Sequence, residues 1–112
     1  MIAEIRTYIA NRGMLDGLIA TLNEVVFPNH AAFGIQVVGL WADRKQNEVT
    51  WIRVFASPED RDARLAAYES SDGRKANLPR MVSHLARPPE VRIMEDVFAL
   101  GTMTEAGNAR PG

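Results

Sequence analysis

The chain contains no cysteine, which excludes thiol nucleophiles, disulfides and thiolate-bound zinc. It also lacks a surplus of charge: 13 basic side chains stand against 14 acidic ones, a formal net charge of −1. Electrostatic capture of nucleic acid or of an anionic membrane needs a basic surplus, so neither is expected as a partner. No apolar run approaches the roughly 18 residues of a membrane span. Met1 to Arg6 shows no basic region followed by an apolar stretch, so a cytoplasmic protein is expected. Phosphate-binding glycine loops, nucleophile elbows and HExxH zinc motifs are missing. The two histidines, His30 and His84, are distant and without a carboxylate partner, so no metal site is expected. No internal repeat is evident.

What is present centres on Ile35 to Phe55. Ile35 to Ala42 is apolar or small except for Gln36, and Val49 to Phe55 is β-branched or aromatic except for Arg53, the composition of strands. Between them, Asp43 to Glu48 carries no apolar side chain and includes Asp and Asn to form a turn. The segment therefore reads as a hairpin. Ile35, Val37, Trp41, Val49, Trp51 and Phe55 share one parity, and Val38, Leu40, Ala42, Ile52 and Val54 share the other. Both faces are apolar, so both require cover. A chain of 112 residues is one domain with helices for one layer only, and a second copy of the protein is expected on the other face.

Ile2 to Ile9 alternates as a strand with Ala3, Ile5, Thr7 and Ile9 on a smooth face and Glu4, Arg6 and Tyr8 on a mixed one. Met14, Leu15, Leu18, Ile19, Leu22, Val25 and Val26 recur at helical spacing, and Pro28 ends or kinks that helix. Gly34 is a plausible C-terminal cap. Ser57-Pro58-Glu59-Asp60 opens a second helix running to about Tyr68. A shorter helical piece spans Lys75 to Leu85, and Glu90 to Leu100 supplies the last strand. The order β-α-β-β-α-β is an α+β, ferredoxin-like arrangement with the first and third strands central. Residues 1–100 form the expected domain and 101–112 a flexible tail rich in small and polar residues.

Glu4 to Tyr8, the helix with Pro28 and His30, Val38 to Trp41, Asn47 to Val49 and Ser57 to Asp60 together resemble the NIPSNAP family, over about residues 3 to 98. The resemblance implies a protomer of the dimeric α+β barrel superfamily, two copies packing sheet against sheet. One departure stands out. Where the family usually carries an aromatic shortly after Ser71-Asp72, this chain has Gly73-Arg74-Lys75-Ala76. The superfamily includes cofactor-free monooxygenases, isomerases and haem enzymes, so the fold does not select an activity.

Candidate chemistry gathers on the strands and on His30. Glu4, Arg6 and Tyr8 point to one side: Arg6 could bind a carboxylate or enolate oxygen, Tyr8 donate a proton and Glu4 orient Arg6. The plainer alternative is an ion pair in a dimer interface. Trp41 and Trp51 share a parity with Arg53, an aromatic wall with one cation suited to a phenolic or ketone substrate, or else a core. His30, at a helix end where the partial negative charge favours its protonated form, is a candidate general base or substrate ligand, or else a cap. His84 could serve a haem only by analogy with haem-binding relatives. The expectation is a homodimeric small-molecule pocket protein, with a higher oligomer as the alternative assembly, with catalytic His30, Arg6 and Tyr8, substrate-binding Glu4, Trp41, Trp51 and Arg53, and no cofactor. Its activity would be a cofactor-independent monooxygenation or isomerisation of an aromatic or enolisable compound. The alternative is a non-catalytic protein-interaction module.

Overall fold

Two polar residues close the central hairpin. In a computed structural model that describes residues 1–99, the Asp43 carboxylate accepts from the amides of Lys45 and Gln46, at 3.1 and 3.2 Å. Asn47 takes the left-handed conformation, φ 56°, which asparagine tolerates better than most residues. Its side-chain amide donates to the carbonyls of Ala10 and Asn11, tying the turn to the end of the first strand. The elements run β1 (Ile2–Ile9), α1 (Leu15–Thr21), a π-helical segment (Leu22–Val26), α2 (Phe27–Ala32), β2 (Gln36–Asp43), β3 (Glu48–Phe55), α3 (Pro58–Glu69), α4 (Asp72–Val82) and β4 (Glu90–Glu95). The sheet order is β2-β3-β1-β4, all antiparallel. This is the expected ferredoxin-like order, with the first and third strands at the centre.

The boundaries depart from expectation in instructive places. α4 begins at Asp72 rather than Lys75, because Ser71 caps it by accepting from the Arg74 amide. Pro79 sits within that helix. The last strand stops at Glu95, five residues before Leu100. Its partner β1 begins at Ile2, which pairs with Glu95, and the Asp96 amide reaches the last acceptor, the Met1 carbonyl. Beyond that point β4 has no pairing partner among the described residues. The expected tail, 101–112, lies outside the described residues.

Pro28 neither ends the first helix nor breaks it. The turn immediately before it widens into the π-helical segment, in which the Phe27 amide donates to the Leu22 carbonyl. A wide turn makes room for the proline ring, which would otherwise clash with a carbonyl one turn back. It also keeps one face inward. Leu18, Leu22, Val26 and His30 are all buried. Twelve residues of ordinary α-helix would carry that face round by about a third of a turn, and the wider turn takes back part of this drift. Gly34 then ends α2 at φ 70°, as the cap expected from the sequence. The Arg64 guanidinium donates to the carbonyls of Phe33 and Gly34.

The helices cover one side of the sheet. Tyr8, Val49 and Trp51 pack against Leu15, Leu18, Leu22 and Val26 in one cluster, while Ile35, Phe55, Leu65 and Tyr68 form another. The opposite face carries Ile5 beside Ile52 and Thr7 beside Thr50, whose hydroxyls lie 3.1 Å apart. No helix of the described residues packs there. A β-bulge at Val37–Gly39 shifts the parity of β2. Leu40 and Ala42 consequently pair with Trp51 and Val49 toward the helices, and Trp41 pairs with Thr50 on the open face. The shared face expected for Trp41, Trp51 and Arg53 is therefore corrected. The Trp41 indole, 55% exposed, lies flat across Gly39, where any β-carbon would collide with it.

Candidate functional site

The mixed face of β1 points to the helices. Glu4 is fully buried there and bonded to three guanidiniums. Its Oε2 accepts from Arg6 Nη1 at 2.5 Å and Arg53 Nη2 at 2.6 Å, and its Oε1 from Arg61 Nε at 2.8 Å. Arg6 and Arg53 come from neighbouring central strands, and Arg61 reaches in from the first turn of α3. The phase of that helix is set at Ser57, whose hydroxyl accepts from the Asp60 amide at 3.0 Å. Burial by itself would raise the Glu4 carboxyl, but the hydrogen bonds and charges of the three arginines outweigh it and bring the pKa down to about 2.

His30 is held at both nitrogens. Nδ1 lies 2.8 Å from the Val26 carbonyl and so donates the proton, leaving Nε2 to accept from Arg53 Nη1, also at 2.8 Å. Burial lowers its pKa, and the Arg53 and Arg6 charges add to the effect against the Val26 carbonyl, to about 4. The imidazole is neutral near neutral pH. This corrects the expectation of a protonated helix-end histidine: His30 faces inward, where desolvation outweighs the helix dipole. Its ring stands edge-on to Trp51 at 5.3 Å and tilts against Tyr68 at 4.4 Å.

Above this cluster lies a cavity of about 290 Å³. Arg6, Tyr8, Trp51 and Arg53 form its sheet floor, and His30, Arg61, Tyr68 and Arg74 line its helical side. Leu78, Met81 and Val82 of α4 supply an apolar wall. The Tyr8 hydroxyl accepts from Arg6 Nε at 3.1 Å, so its own proton is available to the cavity. Guanidinium carbons of Arg6 and Arg53 lie 5.7 and 5.4 Å from the Trp51 ring, within cation–π range. Trp51 Nε1 and Arg53 Nε are buried without a hydrogen-bond partner.

Six of the seven residues singled out from the sequence thus meet: Glu4 at the base, and Arg6, Tyr8, His30, Trp51 and Arg53 on the cavity wall. Trp41 is on the other face of the sheet. His84 lies apart, its Nδ1 donating to the Arg80 carbonyl and its ring against Gly17. Among the described residues no group of three or more His, Asp or Glu side chains is placed to hold a metal ion. Arg61 and Arg74 were not foreseen, and Tyr68 was expected only as an inward residue of its helix, not as part of the site. Arg61 precedes the inward-facing Leu65 by one helical turn, and Tyr68 follows it by most of another, so the cap-defined phase of α3 contained the signal.

A single sheet with one helical layer and a charged, aromatic-lined cavity between them defines the class: an α+β pocket fold of ferredoxin-like type. Within that class the NIPSNAP resemblance holds at the level of the fold. An uncharacterized NIPSNAP domain protein from Burkholderia xenovorans superposes with a TM-score of 0.80 at 18% identity, covering 90% of this chain and 100% of the other. A NIPSNAP family protein of unknown function from Agrobacterium tumefaciens gives 0.73 at 25% identity, over 84% and 86%. An antibiotic biosynthesis monooxygenase gives 0.66 at 16% identity, over 87% and 99%. No family model and no curated protein matches the sequence. No helix among the described residues is long and apolar enough to cross a membrane.

Proposed function

We propose that this protein is a homodimeric small-molecule pocket protein that stabilises an anionic form of an aromatic or enolisable compound, and that it acts on that compound without a cofactor. The observation that carries this reading is the cavity directly above three guanidiniums that share a single buried carboxylate. Charge developing on a substrate oxygen there meets fixed cations in a partly desolvated site, the arrangement that favours an enolate over its neutral parent. Arg6 and Arg53 are the anion-stabilising groups, and Tyr8 is the proton donor. His30 orients Arg53 through Nε2. It becomes a base only when a substrate displaces that contact.

An enolate held in this way has two outlets without a cofactor. Reprotonation at a different carbon is an isomerisation. Attack on dioxygen is an oxygenation in which O₂ is the oxidant, consistent with a fold shared with an antibiotic biosynthesis monooxygenase. The open sheet face, with Ile5, Ile52 and the exposed Trp41, is the surface by which two copies would pack. A non-catalytic interaction module is favoured by one feature, the exposed Val91 and Ile93 along β4 with Phe98 just beyond it.

Native mass spectrometry on protein purified without added ligand tests both parts. A dimer carrying a stoichiometric small molecule is the expected result. If Arg6→Ala and His30→Ala, each folded by circular dichroism, retain that ligand and any turnover of it, the site is misassigned.

A further inference from the structure

Counting charges around the cavity goes one step further, and this step rests on the pocket reading above. Arg6, Arg53 and Arg61 share Glu4 as their one buried carboxylate, and Arg61 Nη1 also lies 3.7 Å from the exposed Asp62 carboxylate, which leaves at least one cationic charge without a carboxylate at the inner end. The other two charged residues on the wall, Arg74 and Glu69, cancel. Cations are seldom enclosed without counter-charge, because desolvation penalises them strongly. Glu4 does not exhaust the donors either. A guanidinium has five N–H groups, and Arg6 uses two of its nitrogens, on Glu4 and Tyr8, while Arg61 uses Nε on Glu4. Their side chains remain 19% and 24% exposed. Both line the cavity.

We infer that the ligand enters already charged: it is an aryl carboxylate whose carboxylate group rests on Arg6 and Arg61 while its ring lies between Tyr68 and the Leu78–Met81 wall. A planar carboxylate matches the paired donors of a guanidinium. The mixed lining separates the two parts of the molecule, cations at the sheet floor and aliphatic side chains on α4. A cavity of about 290 Å³ accommodates a one- or two-ring acid. This assignment distinguishes the ligand from a neutral phenol or ketone, which would become anionic only during reaction.

Isothermal titration calorimetry on the full chain with a panel of one- and two-ring aryl carboxylates, each matched to its primary amide and to the corresponding aryl phosphate, tests the assignment. At least one acid is expected to bind about tenfold or more tightly than its amide. Arg61→Gln should remove most of that difference while leaving amide affinity in place. Arg74→Gln, whose residue has no ion pair among the described residues, provides a second variant if the first fails to fold, with a smaller loss for the acid only. Equal affinity for acids and amides overturns the carboxylate assignment and leaves the pocket reading standing. Preferential binding of the phosphates overturns it in favour of a phosphate ester. Binding of no compound in the panel overturns both.

Discussion

Glu4 and Arg53 face each other directly across the β1–β3 ladder and close a 2.6 Å ion pair, with Glu4 wholly buried and the Arg53 side chain 6% exposed. A pair in this position is costly to desolvate and is stable only while both partners are present. Around it the other site residues take their places: Arg6 and Arg61 on the same carboxylate, His30 on the same guanidinium.

Removing the carboxylate leaves three arginines without their common partner. Glu4→Gln is expected to destabilise the fold by about 3–5 kcal/mol, measured by urea unfolding. Glu4→Gln combined with Arg53→Met should cost less than the sum of the single changes, since the second removes a charge stranded by the first. Strict additivity would show that the two residues are not energetically coupled.

Acid should destabilise the protein in two stages. The His30 pKa is lowered in the fold to about 4 from an ordinary 6.5, so between those values the unfolded chain binds the extra proton. Stability is complete above pH 6.5 and falls toward pH 4, by about 3 kcal/mol for a shift of this size. Glu4, lowered to about 2 from 4.5, extends the loss as pH falls from 4.5 to 2. In His30→Gln the upper stage should vanish from a series of unfolding curves and the lower one persist. An unchanged slope between pH 4 and 6.5 would assign that stage to other groups.

The cap that phases α3 can be tested separately. Ser57→Ala deletes the acceptor for the Asp60 amide and should cost about 1 kcal/mol. Because α3 carries Arg61 and Tyr68 to the cavity, the same variant should weaken ligand binding more than a surface change of equal stability cost, such as Ser70→Ala.

Self-association should depend on the open sheet face. Ile52→Asp introduces a charge beside Ile5, opposite the helical layer. Sedimentation velocity is expected to show a dimer for the wild-type chain and a folded monomer for this variant. A wild-type chain that stays monomeric at micromolar concentration would falsify the homodimer.

Much of this protein was determined locally and could be read from the sequence alone. Alternation of apolar residues marked the strands, Asp43 and Asn47 marked the hairpin turn, and Ser57-Pro58 marked the start of α3, since each signal acts within a few residues of itself. Those signals ordered the elements as β-α-β-β-α-β and brought Glu4, Arg6 and Tyr8 to one face. The tertiary structure decided which side of the sheet that face meets, and hence that Glu4 is enclosed by arginines under a helical layer. It also decided the two positions where counting by periodicity fails. One bulge residue in β2 moved Trp41 to the far face, because strand parity has no tolerance for an insertion. One widened turn before Pro28 rotated His30 inward, where burial made neutral a side chain that its place at a helix end would have charged. Neither departure is written in the pattern of apolar residues, because each is a backbone adjustment set by packing between elements far apart in the chain.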